Sequence, residues 1–143
     1  NSLLSNFQLN NWEIISIDSV QNEKVSGYLS DQKLQTLINE IKQSRAKYIV
    51  LCLHHPVVPM QSSWDDDLSL ENSEDFFGVI SQFPIVRAII WGHAHQSSEF
   101  KYGSIKLFSC PSTAVQFCGP SSIGYNHYTL HDNGEINCKT RWL

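Results

Sequence analysis

Methionine is almost missing from this sequence: Met60 is the only one, and the chain opens on Asn1 with no visible secretion signal. Long apolar runs are missing too. The longest, such as Tyr48 to Leu53, are strand-sized against the roughly 20 residues a spanning helix needs, which excludes a membrane segment. Basic charge is sparse. Ten Lys and Arg residues lie scattered against 14 Asp and Glu, for a formal net charge of −4, so no cationic stripe can track a run of phosphates. A polymeric nucleic acid is thereby excluded as a partner. The four cysteines, Cys52, Cys110, Cys118 and Cys138, are too widely spaced to suggest a disulfide framework. Cys52 sits inside an apolar run, where a small buried thiol is ordinary, and a reduced cytoplasmic protein is expected. No internal repeat, low-complexity tract or linker interrupts the chain, so residues 1–143 are read as a single domain. With 41% hydrophobic residues it can bury a core.

What is present has a repeating grammar. Trp12 to Ile17 is rich in β-branched residues and reads as a strand. Ser30 suits a helix N-cap, Leu29 and Leu34 suit a hydrophobic staple, and Leu34, Leu37, Ile38 and Ile41 recur at helical spacing, predicting a helix over 31–43. Tyr48 to Leu53 is continuously apolar, as a central strand covered on both faces must be. The stretch from Val57 to Leu70 shows no stable periodicity and reads as a long loop, with Asp65 to Asp67 as a solvated acidic run. Asn72 or Ser73 can cap a second helix whose stripe is Phe76, Val79, Ile80 and Phe83, ended by Pro84. Val86 to Trp91 is a further strand. Beyond His95, turn signals at Gly103-Ser104 and Asn133-Gly134 join Phe100 to Tyr102 with Ile105 to Ser109, and Tyr125 to His131 with Glu135 to Trp142, as antiparallel pairs. Cys118 to Gly124 reads as a loop.

Histidines mark the ends of two of these strands. His54-His55-Pro56 follows one, and Gly92-His93-Ala94-His95 follows the other about 38 residues later, as a βαβ unit requires. Crossovers of one hand bring parallel strand ends to a common sheet edge, where loops are free to line a crevice. There His54, His93 and His95 are candidate ligands of zinc, manganese or iron, since neutral imidazole is a strong donor to each. Gly92 is expected to supply the unusual backbone turn. Loop histidines bonded to backbone or water are the plainer alternative for each motif.

His54-His55-Pro56, Trp64 with Leu70-Glu71-Asn72, Gly92-His93-Ala94-His95-Gln96 and the segment Cys110 to Phe117 together resemble calcineurin-like metallophosphoesterases, in particular bacterial 3',5'-cyclic-AMP phosphodiesterases. Ile17-Asp18-Ser19 and Gly27-Tyr28-Leu29-Ser30 fit the same pattern. The resemblance implies an α/β fold, the C-terminal half of a four-layer αββα sandwich built on a mixed sheet with flanking helices. It implies two divalent metal ions (Fe, Mn or Zn), with His54 and His93 on one and His95 on the other. His55 then orients a ligand or touches substrate phosphate, while His127 and His131 match no ligand motif. A cyclic nucleotide is the implied substrate.

The resemblance also implies a gap. The family's Asp-x-His, Gly-Asp and Gly-Asn-His motifs belong upstream of Asn1, so no catalytic group is assigned here. The fragment alone is expected to hold one ion or none, to be inactive, and to self-associate as a homo-oligomer through the surface the other half would cover. Trp64 suits stacking on a base or packing. Another phosphodiester or phosphomonoester as substrate, or a non-catalytic histidine-rich metal-binding module, remain as alternatives.

Overall fold

The computed structural model describes residues 4–116 and 122–143. Phe117, Cys118 and the adjoining part of the Cys118 to Gly124 loop lie outside the described residues. The element order is β1 (Leu4–Leu9), β2 (Trp12–Ile17), α1 (Asp31–Gln43), β3 (Tyr48–Leu53), α2 (Ser63–Asp67) and α3 (Ser73–Ile80). Then come β4 (Val86–Trp91), β5 (Ser98–Tyr102), β6 (Ile105–Ser109), β7 (Gly124–Leu130) and β8 (Ile136–Trp142).

Six strands form a mixed sheet in the order β1-β2-β3-β4-β6-β5, and β7 and β8 form a separate antiparallel pair. The inner neighbours β2, β3, β4 and β6 run parallel, while β1 and β5 run antiparallel at the two edges. The β5–β6 hairpin foreseen from Gly103-Ser104 thus does more than pair with itself: β6 extends the parallel sheet beside β4.

Strand alternation divides the core. Ile49, Leu51 and Leu53 of β3, with Ile89 and Trp91 of β4, pack with Leu34, Leu37, Ile41, Phe76, Phe77 and Ile80 on the helix face. Val50 and Ala88 point the other way and meet Trp12, Phe108 and Ile136, with Tyr128, Leu130 and Cys138 of the small sheet packed around them. The central strands are apolar on both faces because helices cover one and β7–β8 the other. The result is an α/β arrangement of a mixed sheet with flanking helices.

Ser30 caps α1 as expected, its hydroxyl accepting from Lys33 N–H at 3.3 Å. The second helix differs from expectation. Asn72 precedes α3 but makes no capping bond, because its amide accepts from Leu29 N–H at 3.0 Å and donates to Leu29 O at 2.8 Å. Val79 and Phe83 of the foreseen stripe are only partly buried, and Phe77 is buried instead.

Two elements lie where no element was foreseen. In β1 the apolar Phe7 and Leu9 are exposed, so the strand shows no buried face to read. Main-chain pairing to β2 through a two-residue Asn10-Asn11 turn, with Asn10 at φ 52, and an Asn6 Nδ2 bond of 2.8 Å to buried Glu13 hold it. The Asn-Asn turn was the available signal. α2 is a single turn inside the supposed loop, with Ser62 accepting from Asp65 N–H at 3.5 Å. Ser62 and Asp65 stand in the Ser-x-x-Asp spacing of a helix start.

The small sheet is seated by its turn. Trp12 Nε1 donates to His131 O at 3.0 Å, Arg87 Nε to Gly134 O at 3.1 Å and Lys106 Nζ to Ile136 O at 2.8 Å. Gly134 has φ 84, and a Cβ there would collide with the Tyr48 ring. Gly134→Ala should therefore destabilise the fold by more than about 1 kcal/mol, whereas Gly78→Ala, in α3 with nothing within 4 Å of the new Cβ, should be neutral or stabilise by up to about 1 kcal/mol. Urea denaturation of both variants checks the contrast.

Cys52, Cys110 and Cys138 carry free thiols. Burial first, then neighbouring Cys110, pushes the Cys52 thiol from 9.0 up to about 11. A thiol raised on folding contributes stability that is complete below its unfolded pKa and lost as pH rises through its folded one. Thermal stability should accordingly fall between pH 9 and about 11, and Cys52→Ala should flatten that decline in melting curves taken across the range.

Candidate metal centre

Because β2, β3, β4 and β6 are parallel, their carboxyl ends share one edge, and the residues that follow them gather there. Ser19 follows β2, His54 and His55 follow β3, Gly92 to His95 follow β4, and Cys110 follows β6. Register sets Leu53 opposite Trp91, so the histidine-bearing segments emerge side by side.

His93 Nδ1 and His54 Nε2 are 2.9 Å apart, with the rings edge to face at 4.9 Å. The His55 ring lies 5.0 Å from His54 and 5.4 Å from His93. One nitrogen from each of these three lies within 4.8 Å of the others. His55 has nevertheless committed both nitrogens. It is 4% exposed, its Nε2 donates to Val25 O at 2.9 Å, and its Nδ1 is 2.7 Å from the hydroxyl of buried Ser19 and accepts from it. That arrangement makes it a neutral buttress beside the pair, with no lone pair to spare.

His95, read from the sequence alongside His54 and His93, is not one of the three within 4.8 Å. It stands close enough for its charge to lower the pKa of both. His127 is exposed on β7, and His131 accepts from Asn137 Nδ2 at 3.0 Å in the β7–β8 turn. Neither reaches the cluster.

Electrostatics keeps the cluster neutral. Burial is the largest cause lowering His54, His55 and His93 below 6.5, and the neighbouring histidines add to it for each. Neutral rings keep lone pairs for a cation. Among buried side-chain atoms of the described residues, His93 Nε2 has no hydrogen-bond partner. Two neutral rings, His93 with its Nε2 unbonded and His54 facing its Nδ1, offer imidazole donors of the kind borderline metals take.

The backbone carries strain at this point. His93 has φ 60 and His95 φ 52, while Gly92, expected to supply the unusual turn, is not among the positive-φ residues. A tight turn closed by Ala94 N–H to Gly92 O at 2.7 Å places the left-handed conformation on His93, and Gly92 N–H donates to His54 O at 3.2 Å. Space does not demand the glycine either: a Cβ on it would stand 3.8 Å from His54 Nδ1, an ordinary contact.

The expectation of a solvated acidic run holds at exposed Asp66 and Asp67 and is overturned at Asp65. Asp65 is 3% exposed, not solvated, because α2 turns its carboxylate inward to accept from Gln96 Nε2 at 3.0 Å. Asp66 accepts from Met60 N–H at 2.6 Å. Trp64, between Ser63 and Asp65, is 56% exposed.

No family profile matches the chain. Curated relatives do. The chain is 51% identical over 142 residues to a probable cyclic nucleotide phosphodiesterase of Ruthia magnifica subsp. Calyptogena magnifica, covering 99% of this chain and 61% of that protein. It is 34% identical over 134 residues to the 3',5'-cyclic adenosine monophosphate phosphodiesterase CpdA of Pseudomonas aeruginosa, covering 88% and 49%. Among solved structures, a dimetal phosphatase from Danio rerio matches with a TM-score of 0.76 at 16% identity, over 97% of this chain and 57% of that one. The fold is therefore that of the metallophosphoesterases. Within that class the chain's curated homologues are the cyclic nucleotide phosphodiesterases, as the motifs implied, and it spans between about half and 61% of the length of these relatives.

Gly27 approaches the His55 ring so closely that a Cβ would stand 2.5 Å from Nδ1. Gly27→Ala should displace His55, break its bond to Ser19 and cost about 1–3 kcal/mol. Denaturation, together with the loss of the His55 signature in imidazole NMR spectra, checks this.

Proposed function

We propose that this chain supplies the histidine ligands of a two-metal centre that hydrolyses cyclic nucleotides, 3',5'-cyclic AMP in particular. The observation that carries the reading is the facing pair His54 Nε2 and His93 Nδ1, 2.9 Å apart, beside the orphaned His93 Nε2. The substrate named for the relatives supports the nucleotide part. Residues 1–143 form one unit, the C-terminal part of a four-layer αββα catalytic domain, and the protein works in the cytoplasm.

In this reading His54 and His93 hold one ion and His95 the other, with Fe, Mn or Zn as the metals. When bound, such ions acidify water and neutralise charge growing on phosphoryl oxygens. His55, with both nitrogens occupied, fixes the neighbouring rings and leaves coordination to them. Among the described residues no carboxylate joins the group of nitrogens within 4.8 Å. The carboxylates that hold two cations together against their repulsion come from outside residues 1–143, so the chain alone is inactive. Exposed Phe7 and Leu9 at the β1 edge suit self-association, which light scattering measures.

The test is hydrolysis of cyclic AMP by the full-length protein, with and without added Mn or Zn. Metal-dependent turnover that falls at least about 100-fold in His93→Ala is expected, with none from residues 1–143 alone. Turnover by the 143-residue chain that requires His93, or full-length protein inert toward every phosphodiester, would overturn the reading. Parallel rates on bis-p-nitrophenyl phosphate and on AMP separate a cyclic-nucleotide enzyme from a broader phosphodiesterase or a phosphomonoesterase.

A further inference from the structure

The loop from Gly92 to His95 holds a shape its own residues resist. Left-handed backbone at a residue other than glycine costs on the order of 1–3 kcal/mol and persists only where the surroundings over-determine it. Two such residues, His93 and His95, stand one apart here. The bonds from Gly92 to His54 and from Ala94 to Gly92 fix the start of the loop. Its end is fixed by Gln96, which is gripped twice. The Gln96 side chain donates to Asp65 Oδ2 at 3.0 Å, and its main-chain carbonyl accepts from the Ser109 hydroxyl.

Both grips come from buried partners, Asp65 3% exposed and Ser109 0%, while Gln96 itself is half-buried. They also come from different elements, Asp65 from α2 and Ser109 from the end of β6. Ser109 is held in turn, since its carbonyl accepts from Asn126 Nδ2 at 2.9 Å. Bonds to buried partners are exchanged for solvent less readily than exposed ones, so they hold the backbone more firmly.

We propose that the buried Asp65–Gln96–Ser109 clamp is the positioning device of the histidine loop, holding His93 and His95 in left-handed backbone so that the cluster is assembled before a cation arrives. This rests on the reading of those histidines as ligands. Asp65 and Gln96 are positioning residues and touch no reacting atom. The Asp65 charge also acts on His93, where it opposes the lowering caused by burial and by His54. Without the clamp, a cation must supply the free energy of ordering the loop. Partners of metal ligands typically contribute about 10–100-fold in affinity.

The experiment titrates Co(II) into the protein and follows the visible absorption of the bound ion. It runs alongside thermal denaturation and three-bond HN–Hα couplings of His93 and His95 in the metal-free state. Gln96→Ala and Asp65→Ala should each weaken Co(II) binding by about 10-fold or more, and the double variant by no more than the worse single one, because the pair acts as a unit. Asp65→Asn, which keeps an acceptor, should retain most of the affinity and safeguards the test should the alanine variant misfold. The two couplings should leave their left-handed values in Gln96→Ala. Folded variants with wild-type affinity and couplings, or losses that simply add, would overturn the clamp. Wild-type protein whose Co(II) binding ignores His93→Ala would sink the ligand reading itself, and the clamp with it.

Discussion

Parallel pairing of β2, β3, β4 and β6 is the constraint from which the rest follows. It sends four carboxyl ends to one edge, and the register of β3 on β4 then decides that His54 and His93 leave the sheet as neighbours. A slip of one residue would turn every side chain of β4 to the opposite face, exchanging Ile89 and Trp91 for Ala88 and Ile90 in the helix-side core. The apolar alternation of the central strands is thus also what aims the histidines. Core packing and site geometry are one specification here.

Around that edge the protein fixes its imidazoles with neighbouring groups that occupy both nitrogens of His55 and leave His93 Nε2 unbonded. His55 is closed off by Ser19 and Val25, and Gly27 has no side chain, so the ring can lie against its backbone. The segment carrying Gly27 is tied in turn to the one after α2: Gly27 N–H donates to Ser69 O at 3.1 Å, and Glu71 N–H to Gly27 O at 2.9 Å. Glu71 gathers Ser26, Lys24 and Gln21, and those bonds hold its carboxyl below the usual range. Loops from three strand ends therefore brace one another, which is how a site made of loops acquires the rigidity of the sheet beneath it.

Much of this was legible in the sequence where burial left a period. α1, β2, β3 and β4 were foreseen with the observed bounds because each carries an apolar face with clear stops, such as Ser30 before α1 and Pro56 after β3. β1 was not, since an edge strand with Phe7 and Leu9 in water has no hydrophobic face to detect. α2 was missed because five residues are too few for periodicity, although Ser62 and Asp65 stood in capping register. The convergence of His54 with His93 could be argued from topology. The burial of Asp65 could not, because three consecutive aspartates look alike until the chain around them decides which one turns inward. Nor could the left-handed backbone at His93 and His95, which contradicts local preference and is imposed from outside the loop.

Ser109 faces two ways: its hydroxyl grips the carbonyl of Gln96, and its own carbonyl is gripped by Asn126 of the small sheet. Asn126 also accepts from Thr140 of β8 at 2.9 Å, so both strands of the hairpin bear on one serine. The hairpin is joined to the main sheet by side-chain bonds and apolar packing and not by a ladder. Ser109 is accordingly a rivet between layers: together with Ser97, whose hydroxyl meets Asn126 and Thr140, it ties the outer hairpin to the segment that carries the histidine loop.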